Sequence, residues 1–249
     1  MAGHSHWARI KRKKSAVDVK RGKVFSTLSK AIMAAARQGG GDPSGNLSLR
    51  YAIDAARAEN MPRHTIERAV LKGTGSLEGP PLAALTFEGY GPGGTAVLVQ
   101  VITDNTTRTS PEIRGIFERF GGKMGAPGSV AWNFEKKALF TLPSGAIGED
   151  RLLELALAAG ADDVVNEGAS YAVTGPPDAF GRIAEALETA ALAPESRDVT
   201  FVPKARIMLE PEPARRVVRL VEALEELDDV QAAITNADLP ADLLAELEA

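Results

Sequence analysis

The spacing of apolar positions divides the chain into a helical beginning and a longer stretch in which strand and helix signals alternate. In VKRGKVFSTLSKAIMAAARQGGG, residues 19–41, Val24, Leu28, Ala31, Ile32 and Ala35 fall on one face at about 100° per residue, while Lys20, Lys23, Lys30 and Arg37 gather on another. The helix is expected to stop at Gly39, Gly40 and Gly41, because glycine takes the left-handed cap conformation readily. A second helix fits NLSLRYAIDAARAEN, with Leu49, Ala52, Ile53 and Ala56 inward and Arg50 and Arg57 outward. A third is expected from Pro62, a good first helical residue, to Lys72 before Gly73. Three short amphipathic helices in a row predict a small bundle.

Beyond the bundle the period changes. TAVLVQVIT is a continuous β-branched run bounded by turns, as a buried strand is. TSPEIRGIFERFGG then reads as a helix opened by a capping box from Thr109 to Glu112 and closed at glycine. GSVAWNFE reads as a further strand. From Lys136 the order is strand ALFTL, helix EDRLLELALAAG, strands DDVVNEG and SYAVTG, helix DAFGRIAEALETA and strand DVTFVP, a βαββαβ unit of ferredoxin-like type. A long amphipathic helix, PARRVVRLVEALEELDDV, and a strand, VQAAITNA, follow and are expected to complete the middle domain. The predicted fold class is α+β: an N-terminal helical bundle (residues 1–76), then two α+β (ferredoxin-like) domains. The third domain (136–203) is inserted in the second (77–135 plus 204–240), and residues 241–249 are a tail.

Composition narrows the class. With 249 residues and 44% hydrophobic content the chain can bury a substantial core, so it is not a disordered polymer. Cysteine is absent, which excludes disulfides and thiolate metal sites and suits a reducing cytoplasm. No apolar stretch approaches a membrane span, and the basic first residues are not followed by the apolar run of a signal peptide. The protein is expected in the cytoplasm, away from membranes. Only His4, His6 and His64 are available, which disfavours a histidine-rich metal centre, and no cofactor is implied.

Charge changes the picture more. Residues 1–72 hold 15 Lys and Arg against five Asp and Glu, whereas the remainder holds 14 against 28, so the net −4 conceals two modules of opposite sign. Such asymmetry predicts a polyanionic partner on the basic side. A solvated helix face is the plain alternative for any one of these charge runs. Membrane-surface helices expose a broad apolar face, but this Ala-rich face is needed to close the bundle, so nucleic acid is the better partner.

The stretch GHSHWARIKRKK, residues 3–14, adds rings to the cations. Lys and Arg attract phosphate, and the planes of His4, His6 and Trp7 can stack on unpaired bases, which favours structured or single-stranded RNA over regular duplex. A purely structural role, with Trp7 and Ile10 stapling the segment to the bundle, is the alternative. The candidate contact set is His4, His6, Trp7, Arg9, Lys11, Arg12, Lys13, Lys14, Lys20, Arg21, Lys23, Lys30 and Arg37. If Met1 is removed, Ala2-Gly3-His4 offers an amine, backbone amides and an imidazole that would chelate square-planar copper or nickel, which we read as incidental because no supporting residue is evident.

MAGHSHWARIKRKK, KRGKVF, GGGDP, NMPRHTIERA, EGYGPGGTAVLVQVITDN and GSVAWNFE, in this order along the whole chain, resemble the YebC family, whose mitochondrial relative is called the translational activator of cytochrome c oxidase. The resemblance implies an N-terminal helical domain, two α+β domains and a role in gene expression. Members are commonly described as DNA-binding transcriptional regulators, and some are linked to ribosomes translating difficult sequences such as proline runs. The family commonly carries lysine where this chain has His6, and arginine and asparagine where it has Thr106 and Thr107. The loop after the buried strand keeps Asp104, Asn105, Arg108 and Thr109, and the resemblance makes Asp104, Asn105 and Arg108 a second contact, with Arg108 its cation.

Catalytic readings are weak. GYGPGG precedes a strand instead of joining a strand to a helix, so it is read as a turn and not as a nucleotide loop. The adjacent pairs Asp162, Asp163 and Asp228, Asp229 fall at element boundaries, where capping and solvation account for them. A metal-dependent nuclease built from His4 or His6 with such acids lacks any sequence feature that would bring them together. The expectation is a non-enzymatic factor that binds nucleic acid, ribosomal RNA before duplex DNA, with no small-molecule substrate. A protein scaffold using the acidic surface is a third class.

Overall fold

The computed structural model describes residues 21–78 and 82–248, which form two compact units. One comprises residues 21–130 and 216–235; the other comprises 131–215 and 236–248. The fold is mixed α+β, with the helices first and the sheets after them.

The first unit opens with α1 (Arg21–Gly39), α2 (Leu47–Ala58) and α3 (Arg63–Gly73). Ile32, Ala36, Leu49, Ile53, Ala56, Met61, Ile66 and Ala69 are buried between them, with Phe25, Leu28 and Met33 packed alongside. Each fully buried Ile or Leu contributes about 1.5–3 kcal/mol of transfer free energy, so these few positions hold the bundle. Close approach matters as much as area. A Cβ on Gly73 would lie 2.5 Å from the Met33 carbonyl oxygen and 2.8 Å from Ala36 Cβ, so α1 and α3 touch where only glycine fits. The first and second helices are located as the periodicity predicts. The third starts one residue later than expected: Pro62 is extended (ψ 139°) and serves as N-cap, its carbonyl accepting from Thr65 and Ile66 N–H.

The sheet of this unit has the order β3-β1-β2-β9, all antiparallel, from β1 (Ala83–Tyr90), β2 (Ala96–Thr103), β3 (Lys123–Met124) and β9 (Val230–Thr235). GYGPGG is the β1–β2 turn, with Gly93 and Gly94 at φ 71° and 74°. Helix α4 (Thr106–Arg119) follows β2 and buries Ile113, Ile116 and Phe117. Gly89 in β1 leaves room for the Phe117 ring, which a Cβ would meet at 2.6 Å. The predicted capping box does not form. Asn105 is the N-cap, its side chain accepting from Arg108 N–H, and Thr109 is fully buried one turn inside.

The second unit contains β4 (Phe134–Pro143), α5 (Glu149–Ala158), β5 (Asp163–Asn166), β6 (Ser170–Gly175), α6 (Phe180–Thr189) and β7 (Ser196–Pro203). Their antiparallel order β5-β6-β4-β7 is the ferredoxin-like arrangement that the βαββαβ pattern predicts. Phe140 from β4 meets Phe180 from α6 at 4.8 Å between ring centres. GSVAWNFE is not a separate strand. Ala131–Asn133 form a 3-10 turn, and Phe134 already pairs with Pro203 as the first residue of β4, because Asn133 spends its side chain on the backbone of Ala205.

After β7 come β8 (Ile207–Met208), α7 (Pro211–Glu225), which crosses from the second unit into the first, β9, β10 (Ala237–Asp238) and α8 (Ala241–Glu248). VQAAITNA thus returns to the first sheet through β9, beside β2, as expected. The final residues are helical instead of a tail: Leu243 and Leu244 are buried, and Glu246 holds Arg215 through two bonds of 2.6 and 2.7 Å.

Candidate nucleic-acid interface

Much of the predicted contact set, His4, His6, Trp7, Arg9, Lys11, Arg12, Lys13, Lys14 and Lys20, lies outside the described residues, and of Arg21 only the backbone is described. The described cations form two arrays that behave differently.

In the first array, on α1, the cations donate to backbone carbonyls. Lys23 Nζ donates to the carbonyl of Glu225 at 2.6 Å, Lys30 Nζ to the carbonyl of Asp228 at 2.9 Å, and Arg37 Nη1 to the carbonyl of Leu82 at 3.3 Å. Seven-residue spacing puts the three on one face, as predicted, but Lys23 and Lys30 meet the C-terminal end of α7 and the turn after it. Unpaired carbonyls at a helix C-terminus carry partial negative charge, so they accept the ammonium groups that a phosphate would otherwise hold.

Asp229 is the centre of this contact. Its carboxylate is 4% exposed; Oδ1 lies 2.6 Å from Lys30 Nζ, and Oδ2 lies 2.6 Å from Thr109 Oγ1, 2.7 Å from Arg108 Nη2 and 3.0 Å from Thr103 Oγ1. Burial by itself would push the carboxyl upward, but the bonds from Lys30, Thr109, Arg108 and Thr103 outweigh it and hold the group well below the usual carboxylate range. Reading Asp229 as a solvated boundary residue is therefore corrected. Its neighbour Asp228 is exposed, and no periodicity separates two adjacent aspartates.

The loop given a second contact belongs to the same knot. Asn105 N–H donates to Thr103 Oγ1 at 2.9 Å, its side chain caps α4, and Arg108 bridges Asp229 and Asp104, the latter at 3.1 Å. Asp104, Asn105 and Arg108 are thus brought together by internal bonds. An open cleft of about 600 Å³ lies beside them, lined by Lys30, Lys72 and Arg108 together with Asp104, Glu112 and Asp228. Walls of mixed sign do not make a phosphate groove. Among the described residues no group of three or more His, Asp or Glu is placed to hold a metal ion.

The second array, on α2 and α3, turns outward. Arg50, Arg57, Arg63, His64 and Arg68 are all exposed, while the apolar sides of the same helices close the bundle. Arg57 and Arg63 make exposed pairs with Asp54 and Glu67, at 3.3 and 2.7 Å. Pairs of this kind are worth well under about 1 kcal/mol and yield readily to a competing phosphate. The outward turn of Arg50 and Arg57 was legible in the sequence; what spacing did not show is that Lys23 and Lys30 of α1 are held by backbone carbonyls, while Arg63 and Arg68 stand in solvent beside Arg50 and Arg57.

A family model described as the TACO1/YebC protein N-terminal domain matches residues 5–76, and one described as the TACO1/YebC second and third domain matches residues 82–237. The chain belongs to the TACO1/YebC family. It is 49% identical, over 100% of its length and 99% of the relative's, to a protein of Acidithiobacillus ferrooxidans named "Probable transcriptional regulatory protein". A protein of Desulfatibacillum aliphaticivorans with the same name is 48% identical over 99% of this chain and 100% of its own. A crystal structure of a conserved hypothetical protein from Aquifex aeolicus superposes with a TM-score of 0.81 at 41% identity, covering 90% of this chain and 93% of that one. The α+β fold of this YebC-family chain is therefore that of a solved relative. The names of its relatives place them in the regulation of transcription. Among the described residues no helix is long and apolar enough to cross a membrane.

Proposed function

We propose that this chain is a non-enzymatic regulator of gene expression that binds nucleic acid through its basic N-terminal module, and that its target is RNA on the ribosome, where it assists translation. The observation that carries this reading is the separation of charge: residues 1–72 hold 15 cations against five acids, and the bundle helices keep Arg50, Arg57, Arg63 and Arg68 in solvent. Cations on rigid helices bind phosphate by releasing condensed counterions, without reading sequence. Rings interleaved with cations in residues 3–14 support unpaired RNA, since base faces are open there and closed in a duplex.

The names carried by the relatives support a second reading, a transcriptional regulator on duplex DNA. The two separate in one experiment, crosslinking in cells followed by sequencing of the attached nucleic acid. Enrichment of ribosomal RNA is the expected result; enrichment of promoter DNA with little RNA would establish the second reading in its place.

A further inference from the structure

Two of the most exposed large apolar side chains among the described residues are Trp132, 68% exposed, and Met208, 69% exposed. The backbone of the second unit brings their segments together. Phe134 pairs with Pro203 across β4 and β7, and Lys204 N–H donates to the Asn133 carbonyl at 2.7 Å. The buried Asn133 side chain then clasps Ala205, accepting from its N–H at 2.9 Å and donating to its carbonyl at 2.9 Å. Asn236, also buried, donates to that carbonyl at 3.1 Å, and its own carbonyl accepts from Ile207 N–H at 2.9 Å. The turn at 204–206 is therefore pinned by two buried amides, beside the residue that follows Trp132.

This turn is a basic island in an acidic half. Lys204 and Arg206 are exposed, and PKARIML, residues 203–209, contains no acid, although residues 73–249 hold twice as many acids as cations. A 68% exposed indole, one residue from a clasp on a turn that carries two exposed cations, has the composition of a stacking platform: a π face accepts any base, and cations nearby hold the backbone. Because the turn is already fixed, little conformational freedom remains to be lost on binding.

We propose that Trp132, Lys204, Arg206 and Met208 form a second docking site for single-stranded nucleic acid, in addition to the N-terminal module. The site rests on the reading of the protein as a nucleic-acid binder and deepens it by assigning an unpaired strand to the ferredoxin-like unit. Trp132 stacks on a base, Met208 packs at the edge of the stacked ring, and Lys204 and Arg206 meet the flanking phosphates. A regular duplex hides its base faces and fits this site poorly.

The test uses the full chain with Trp7→Phe, which leaves Trp132 as its sole tryptophan. Short oligouridylate is titrated against tryptophan emission, with duplex DNA of similar length as comparison. Quenching by the single strand is expected, with little by the duplex. In the otherwise unchanged chain, Trp132→Ala is expected to weaken oligouridylate binding at least about fivefold, and K204A with R206A to flatten the slope of log K against log salt by about 1.4. Unchanged melting temperatures show that the variants fold. Binding that persists with unaltered emission and no loss in Trp132→Ala overturns the second site and leaves the nucleic-acid reading standing; absence of any binding by the chain that keeps Trp7 overturns both. Oligouridylate affinity unchanged by Trp132→Ala, with loss of a protein partner instead, shows that the surface serves a protein and also overturns the proposal.

Discussion

Asp229 carries a negative charge into a buried position, and the four side chains around it make that arrangement stable. An ionised carboxylate has room for about four hydrogen bonds, and Lys30, Thr103, Arg108 and Thr109 supply four donors. Removing the acceptor takes a bond from each of these four donors at once and leaves two cations without this carboxylate, although Lys30 keeps the Asp228 carbonyl and Thr109 the Asn105 carbonyl within reach. Asp229→Ala is therefore expected to lower unfolding free energy by about 3–5 kcal/mol, read from urea midpoints; a loss below about 1 kcal/mol would show the contact to be dispensable. Its folded carboxyl titrates below its unfolded one, so the stabilisation is complete above the ordinary carboxylate range and is lost as pH falls through that range toward the folded value. The wild type should accordingly lose more stability than Asp229→Ala between pH near 5 and pH near 2, which acid titration of the urea midpoint checks.

At the scale of elements, the same residue type does different amounts of work according to what surrounds it. Asn105 caps α4 with one bond to Arg108 N–H and stays exposed. Asn46 caps α2 by accepting from Leu49 N–H and also donates to the carbonyls of Ala35 and Gly40, tying the end of α1 to the start of α2 while 6% exposed. A lost exposed cap costs about 1 kcal/mol, and each buried partner left unsatisfied adds about 1 kcal/mol or more. Asn46→Ala should destabilise at least about twice as much as Asn105→Ala in paired urea melts, and equal losses would contradict the bridging role. The bundle helices were legible because their apolar period closes locally. Strand β1 was not: Glu88 and Gly89 sit among its buried positions, with Glu88 accepting from Gly128 and Val130 N–H, so its pattern does not alternate. GSVAWNFE misled for the opposite reason. It is apolar enough for a strand, but Asn133 turns the chain toward Ala205, a partner 72 residues away.

For the whole molecule, the separation of charge makes a prediction that needs no knowledge of the target. If 6 to 10 cations meet phosphates, affinity for RNA should fall roughly 10³–10⁵-fold between about 50 and 200 mM salt. Deleting residues 1–20 removes six of the 15 cations of the basic module and should flatten that dependence while leaving measurable binding through α2 and α3; an unchanged slope would remove that segment from the interface. Substituting Arg50, Arg57 or Arg68 singly by Gln should flatten it further, and each should do so more than Lys23→Gln, because the Lys23 ammonium is already held by the Glu225 carbonyl.

By itself the sequence determined the helical beginning, the ferredoxin-like βαββαβ order, the return of a late strand to the earlier sheet and the basic character of residues 1–72. Each of these is written in short-range periodicity or in a sum of charges, which folding does not alter. Only the tertiary structure decided which cations stay in solvent, that Asp229 and not Asp228 is buried, and that Arg108 and Lys30 serve a carboxylate more than 100 residues away. Such partnerships follow from where separate helix ends and strands come to rest in three dimensions, and no local spacing encodes that distance.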